Sequence, residues 1–196
     1  MDDILKTINK WFRFRSMRGD NLPWASPRGT RDTLADLYCD LGFTRGAEIG
    51  IRIGSYSRVL CQRNPNLKLF CIDPFIAYGR LKQKTQDDYY EKAKSRLAEY
   101  DAEIMRTTSM DALECFEDRS LDFVFIDGNH EFDFVCMDII CWAKKVKHGG
   151  IMSVHDYLNF YRAGIVKAVD AYTHCNRINP WFVTKEVLPT AFWVNP

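Results

Sequence analysis

A chain of 196 residues, 46% hydrophobic and 27% charged, is long enough for one well-filled domain and barely long enough for two. Its net charge of +1 supplies no broad field for a polyanion, which argues against nucleic acid as a partner, and no apolar run approaches the length of a membrane span. The seven cysteines are an odd number, scattered, without a close pair at zinc-ligand spacing and without a secretory segment; they predict reduced thiols in a cytoplasmic protein.

The first 18 residues form a basic amphipathic segment. Ile4, Leu5, Ile8, Trp11 and Phe12 share one helical stripe, and Lys6, Lys10, Arg13, Arg15 and Arg18 carry the charge. Such a helix can pack on its own domain or on a second subunit, cover a substrate, or lie on a membrane surface. Residues 19–30, GDNLPWASPRGT, read as an irregular link. Residues 1–29 are therefore taken as helix plus link, a lid or a dimer contact, and residues 30–196 as the domain.

Thr30 or Asp32 caps a predicted helix to about Leu41, ended by Gly42. Strands are expected over 46–50 and 67–73, with a helix starting near Ser55 between them. A helix over 84–100, a modest strand over 102–107 and a short helix from Met110 to Phe116 follow. LDFVFID, residues 121–127, is the clearest strand, with five apolar residues in seven. The pattern then predicts a helix from Phe132 to Lys147 broken by Gly149-Gly150, and a strand over 151–156. A helix over 163–172 and two closing strands, near 181–186 and 191–194, complete the chain. Strands alternating with helices give an α/β three-layer sandwich on a mostly parallel seven-stranded sheet, with the last two strands as an antiparallel edge hairpin.

In such sheets ligands sit beyond the carboxyl ends of the strands, and polar residues gather there. The turn Glu48–Ser57 carries Gly50 and Gly54, whose spacing is neither the dinucleotide fingerprint nor a P-loop. Glu48 can accept from a cofactor amine or from backbone. Asp73, 23 residues beyond Gly50, can take the two hydroxyls of a ribose or simply close a turn with Pro74. Asp127 and His130 follow one strand, His155 and Asp156 the next. Two carboxylates and two imidazoles there suit a hard divalent cation, a general base, or a network that only shapes the loops.

At these residues the chain resembles the class I S-adenosylmethionine-dependent methyltransferases, and most closely the methyltransferase domain 24 family of small-molecule O-methyltransferases. The stretches GAEIGIRIGSYS (46–57), FCIDPF (70–75), LDFVFIDGNHEFDFVCMDIICW (121–142) and VKHGGIMSVHDY (146–157) carry the resemblance. It implies a Rossmann-like fold in which Glu48, Gly50 and Gly54 wrap the methionine part of the cofactor, with Ser55 and Ser57 beneath. It implies Asp73 as the ribose acid, Pro74 and Phe75 beside the adenine, and Ser109 and Met110 as further adenine contacts. Asp127 then lies over the transferable methyl, and His130, His155 and Asp156 near the acceptor. Asp127 and Asp156 match the acids with which some relatives hold Mg2+ or another divalent cation; Tyr157 stands where the catechol-type relatives carry asparagine.

The expected reaction is methyl transfer to a small-molecule hydroxyl, sugar or phenolic, with histidine or metal assistance. Trp11, Trp24, Phe132, Tyr157, Phe160, Tyr161 and Arg162 are candidate acceptor walls, and Arg80, Lys82 and Lys84 a basic loop for an anionic acceptor. Rival readings are a nucleic-acid methyltransferase, disfavoured by the charge and by the absence of an Asn/Asp-Pro-Pro-Tyr/Phe motif, and an inactive cofactor-binding protein. A homodimer fits the apolar N-terminal stripe.

Overall fold

The structure, a computed structural model, describes residues 2–14, 23–160 and 163–196. Eight strands form one sheet: β1 Trp24–Ala25, β2 Arg45–Ile49, β3 Lys68–Ile72, β4 Ala102–Met105, β5 Leu121–Ile126, β6 Val146–Val154, β7 Trp181–Val183 and β8 Ala191–Val194. Their order is β1-β7-β8-β6-β5-β2-β3-β4, and only β8 runs against its neighbours. The chain order reverses between β2 and β5, which places a crevice at the carboxyl ends of those strands.

The helices are α1 Asp2–Phe12, α2 Arg31–Asp40, α3 Ser55–Arg63, α4 Gln83–Leu97, α5 Ser109–Ala112, α6 Phe132–Lys145 and α7 Ile165–Cys175. Alternation along each strand divides the core in two. Ala47, Ile49, Val124 and Ile126 face α6 and α7, while Leu69, Cys71, Phe123 and Phe125 face α1 to α4. Tyr38 of α2 is fully buried, stacks on Phe123 at 4.1 Å and shares a 2.8 Å hydrogen bond with Ser153. Ile8 and Phe12 bury the apolar stripe of α1 in that second layer. Among the described residues no helix is long and apolar enough to cross a membrane.

Two sequence expectations change. The predicted helix to Lys147 ends at Lys145, and β6 starts at Val146 and runs through Gly149-Gly150. Gly150 makes this possible, because a Cβ there would lie 2.5 Å from the Asp122 carbonyl of the neighbouring strand. The sheet also has eight strands rather than seven. Trp24–Ala25, within the expected link, pairs in parallel with β7, so the β7–β8 hairpin is antiparallel but does not form the edge. Sequence periodicity has no purchase on a two-residue strand whose only support is a distant partner. Arg15, Arg18 and the first part of the link lie outside the described residues.

Candidate functional site

The β2 end is built around Gly50. Its φ of +84° and the position of its missing Cβ, 2.3 Å from the Asp127 carbonyl and 2.6 Å from Gly128 Cα, allow the ends of β2 and β5 to meet. Gly54 (φ +67°) opens α3 with no side-chain cap, so the first N–H groups of that helix have no side-chain acceptor from the cap residue. Glu48 is only 2% exposed, and its Oε2 and the nearby Ser57 hydroxyl have no hydrogen-bond partner of good geometry. Burial pushes the Glu48 carboxyl up to about 8; Ser57 opposes the rise, Asp127 adds to it, and Arg31 opposes it. Ser55, by contrast, is exposed and accepts from Arg96 Nη1 at 3.0 Å.

Asp73 ends β3 and is half-buried. It accepts from the amides of Ile51 (3.2 Å), Arg52 (2.9 Å) and Phe75 (2.9 Å), which staples the β2–α3 turn to the β3 end. Burial raises its carboxyl and the three amides oppose the rise. A carboxylate has about four acceptor sites, so capacity remains for a ligand. Pro74 is half-buried. Phe75 departs from the expected placement beside an adenine: its ring is fully buried and meets Tyr90 of α4 at 5.1 Å, so what it offers at the β3 end is its backbone. Ser109 is likewise engaged, donating to Asp138 and accepting from Trp142 Nε1 at 2.7 Å, and burial pushes the Asp138 carboxyl up to about 6. Met110 packs partly buried against the core.

The ends of β5 and β6 bring the four other expected residues together. His130 Nε2 lies 3.2 Å from Asp156 Oδ2 and 3.9 Å from Asp127 Oδ1. His155 Nδ1 lies 3.0 Å from Asp156 Oδ1 and 3.4 Å from Asp127 Oδ1. Asp127, His130 and Asp156 each offer a ligand atom, all within 4.8 Å of one another. His155 Nδ1 and Asp156 Oδ1 are buried without a hydrogen-bond partner of good geometry, and Asp156 holds a left-handed φ of +57°. Two carboxylates and an imidazole, with polar capacity unused, fit a hard or borderline divalent cation. Burial works against a charge on Asp127, but His130 and His155 hold its carboxyl below the ordinary range. Asp127 in turn raises the His130 imidazole.

Sequence reading missed Arg31. Because α2 leads into β2, its first turn sits near the carboxyl end of the sheet, and that topological signal could have exposed the residue. Its Nη1 lies 3.2 Å from His155 Nε2 and 3.9 Å from Asp127 Oδ2, and its guanidinium stacks 5.2 Å from the Tyr56 ring. Burial lowers the His155 pKa, but Asp127 and Asp156 outweigh it and push the imidazole up to about 9. The guanidinium makes the opposite demand. Arginine has only donors, so while this contact is made His155 accepts through Nε2 and is neutral, with Nδ1–H between the carboxylates.

The acceptor walls also sort themselves. Phe160 stands edge-on to His130, centroids 5.6 Å apart, and is exposed together with Phe132 and Leu158. Tyr157 is committed elsewhere, donating to Asp170 at 2.7 Å and packing on Trp181. Trp11 donates to Asp40, and Trp24 packs on Phe182. Arg80, Lys82 and Lys84 are exposed. Tyr161 and Arg162 lie outside the described residues.

The model of the methyltransferase domain 24 family, described as a methyltransferase domain, matches residues 47–157, more than half of the chain. No curated protein matches the chain in sequence. Solved structures share the fold. The O-methyltransferase TomG from Streptomyces achromogenes, involved in tomaymycin synthesis and solved with S-adenosylmethionine, is 18% identical over 100% of this chain and 91% of its own, with a TM-score of 0.61. An O-methyltransferase from Bacillus cereus, solved with S-adenosylhomocysteine, is 13% identical over 98% and 89%, TM-score 0.62. A Clostridium thermocellum protein described as a putative rRNA methylase is 11% identical over 87% and 100%, TM-score 0.63.

Proposed function

Because the chain belongs to the methyltransferase domain 24 family, a class I S-adenosylmethionine-dependent methyltransferase family, we propose that it methylates a hydroxyl of a small, ring-bearing acceptor, phenol or sugar. The Asp127–His130–Asp156 cluster, with the exposed Phe160 ring edge-on to His130, is the observation that carries this reading. Asp73, Glu48 and the Gly50–Ser57 turn are its cofactor residues: the unpartnered Glu48 Oε2 suits the ammonium group, and Asp73 keeps acceptor capacity for the ribose. Pro74, Phe75, Ser109 and Met110 belong to the adenine side, Phe75 through its backbone and Ser109 through its place between Asp138 and Trp142.

When bound, S-adenosylmethionine supplies a methyl group already activated by its sulfonium charge. Asp127, His130 and Asp156 would hold a divalent cation, whose chemistry is to lower the pKa of an acceptor hydroxyl. The protein's own tasks are to align the acceptor, exclude water and take one proton. His155 is tied on both sides, by Arg31 at Nε2 and the carboxylates at Nδ1, whereas His130 is 37% exposed in its side chain. In the metal-free alternative His130 therefore takes the acceptor proton at its other ring nitrogen, while Nε2–H faces the Asp156 carboxylate 3.2 Å away, which stabilises the imidazolium.

A net charge of +1 favours a small molecule over nucleic acid, and seven free cysteines favour the cytoplasm. The exposed Phe134, Met137 and Ile140 of α6 support a homodimer, which light scattering would test. For the reaction, labelled S-adenosylmethionine is offered with catechols, other phenols and sugars, with Mg2+, with Mn2+ and with chelator. Transfer to a ring hydroxyl that chelation abolishes supports the metal form, and transfer that survives chelation supports His130. Transfer to RNA alone would overturn the reading.

A further inference from the structure

We propose that Arg31 receives the carboxylate of the cofactor's amino-acid arm, an inference that rests on the cofactor reading above. Arg31 is the first residue of α2, directly after Thr30, whose hydroxyl accepts from the Asp32 amide while the Thr30 amide donates to Thr33 Oγ1. Its backbone is held from both sides. The N–H donates to Glu186 Oε1 at 2.8 Å, itself held by the Thr184 hydroxyl, and the carbonyl accepts from the Tyr56 hydroxyl at 2.6 Å. The guanidinium is thus presented on a fixed base, stacked on Tyr56, with its side chain 37% exposed. Among the hydrogen bonds of the described residues it uses only Nη1, toward His155, which leaves most of its five N–H donors open.

Charge and placement identify the ligand group. The strand ends gather acids, namely Glu48, Asp73, Asp127 and Asp156, and the amino-acid arm is a zwitterion that needs a cation as well. Arg52 lies over the Tyr89 ring, Arg96 is engaged by the Ile53 carbonyl and the Ser55 hydroxyl, and Arg106 pairs with Asp87, so among these Arg31 is the arginine left facing the acids at the strand ends. Tyr56, on which it stacks, is the second residue of α3, whose first turn has no side-chain cap. A helix start of that kind favours an anion. Glu48 lies buried near the end of β2 with Oε2 lacking a partner of good geometry and suits the ammonium. An acid and a preorganised guanidinium flanking one open helix start match the two charges of an α-amino acid.

S-adenosylhomocysteine and its carboxyl methyl ester are titrated calorimetrically into wild type, Arg31→Gln and Arg31→Lys, with thermal midpoints confirming that the variants fold. Charge-assisted bonds of this kind predict that the ester binds wild type about ten- to a hundredfold more weakly than the parent. In Arg31→Gln the parent should weaken by a similar factor and the ester penalty should fall below about threefold, with Arg31→Lys in between. A merely structural role for Arg31 would leave the penalty unchanged in Arg31→Gln, and that result overturns the inference, as does equal binding of both ligands by wild type. If neither ligand binds folded wild type, the cofactor reading itself fails and takes this inference with it.

Discussion

Glu48→Gln should make the ligand-free protein more stable, increasingly so as pH rises. The Glu48 carboxyl is buried, its Oε2 lacks a partner, and burial moves its pKa from 4.5 to about 8. The folded state therefore binds this proton more tightly than the unfolded chain does. Its contribution is fully present below about pH 4.5, is lost progressively as pH rises toward 8, and is gone above. The interval of about 3.5 pH units, at about 1.36 kcal/mol each, gives a cost of at most about 5 kcal/mol at pH 8 and about 3 kcal/mol at pH 7. Glutamine cannot ionise and keeps the size of the protonated acid, so the variant escapes the loss. Urea unfolding of both proteins at pH 5, 7 and 9 should show curves nearly together at pH 5 and separating above it. Parallel stability across that range would refute the argument, because it would mean that Glu48 ionises in the folded protein as freely as in the unfolded one. The same variant should bind S-adenosylhomocysteine more weakly at pH 8, having lost the carboxylate proposed for the ammonium.

Gly50→Ala places a Cβ 2.3 Å from the Asp127 carbonyl at a φ of +84° and should cost about 3 kcal/mol or more, seen as a lowered thermal midpoint. Asp127→Asn and Asp156→Asn should each weaken Mn2+ binding about tenfold or more by calorimetry; unchanged affinity would exclude the cluster as the metal site. Asp73→Asn keeps one acceptor oxygen, enough for the Ile51 and Arg52 amides that share Oδ2 but not for the Phe75 amide at Oδ1, so its stability loss in urea should be about 1–3 kcal/mol. Phe160→Ala should raise KM for a ring-bearing acceptor about five- to tenfold, with cofactor affinity unchanged.

The sequence order of strands and helices was legible because each buried strand between two helical layers is a short apolar run, as in residues 121–126. The acids and histidines at the strand ends were legible for the same reason: polarity appears abruptly where burial stops. What escaped depended on partners remote in the chain. β6 begins at Val146 because β5 offers it a ladder, and no local pattern distinguishes that from another helical turn. Phe75 turns inward because Asp73 draws its amide and Tyr90 receives its ring. Ser109 was expected beside the adenine and Tyr157 at the acceptor, but Asp138, Trp142 and Asp170 engage them. Arg31 lies 96 positions before Asp127 in the numbering, and only the return of α2 beside the sheet brings the two within 3.9 Å.

The proposed cofactor site spans the ends of β2 and β3. Calorimetric titration of S-adenosylhomocysteine into wild type and Asp73→Asn at neutral pH tests it most directly. The prediction is saturable binding near one ligand per chain, competed by S-adenosylmethionine and weakened about tenfold or more in the variant while its fold is retained. Folded wild-type protein that takes up neither ligand, or an Asp73→Asn variant that binds as tightly as wild type, would contradict the assignment of that crevice.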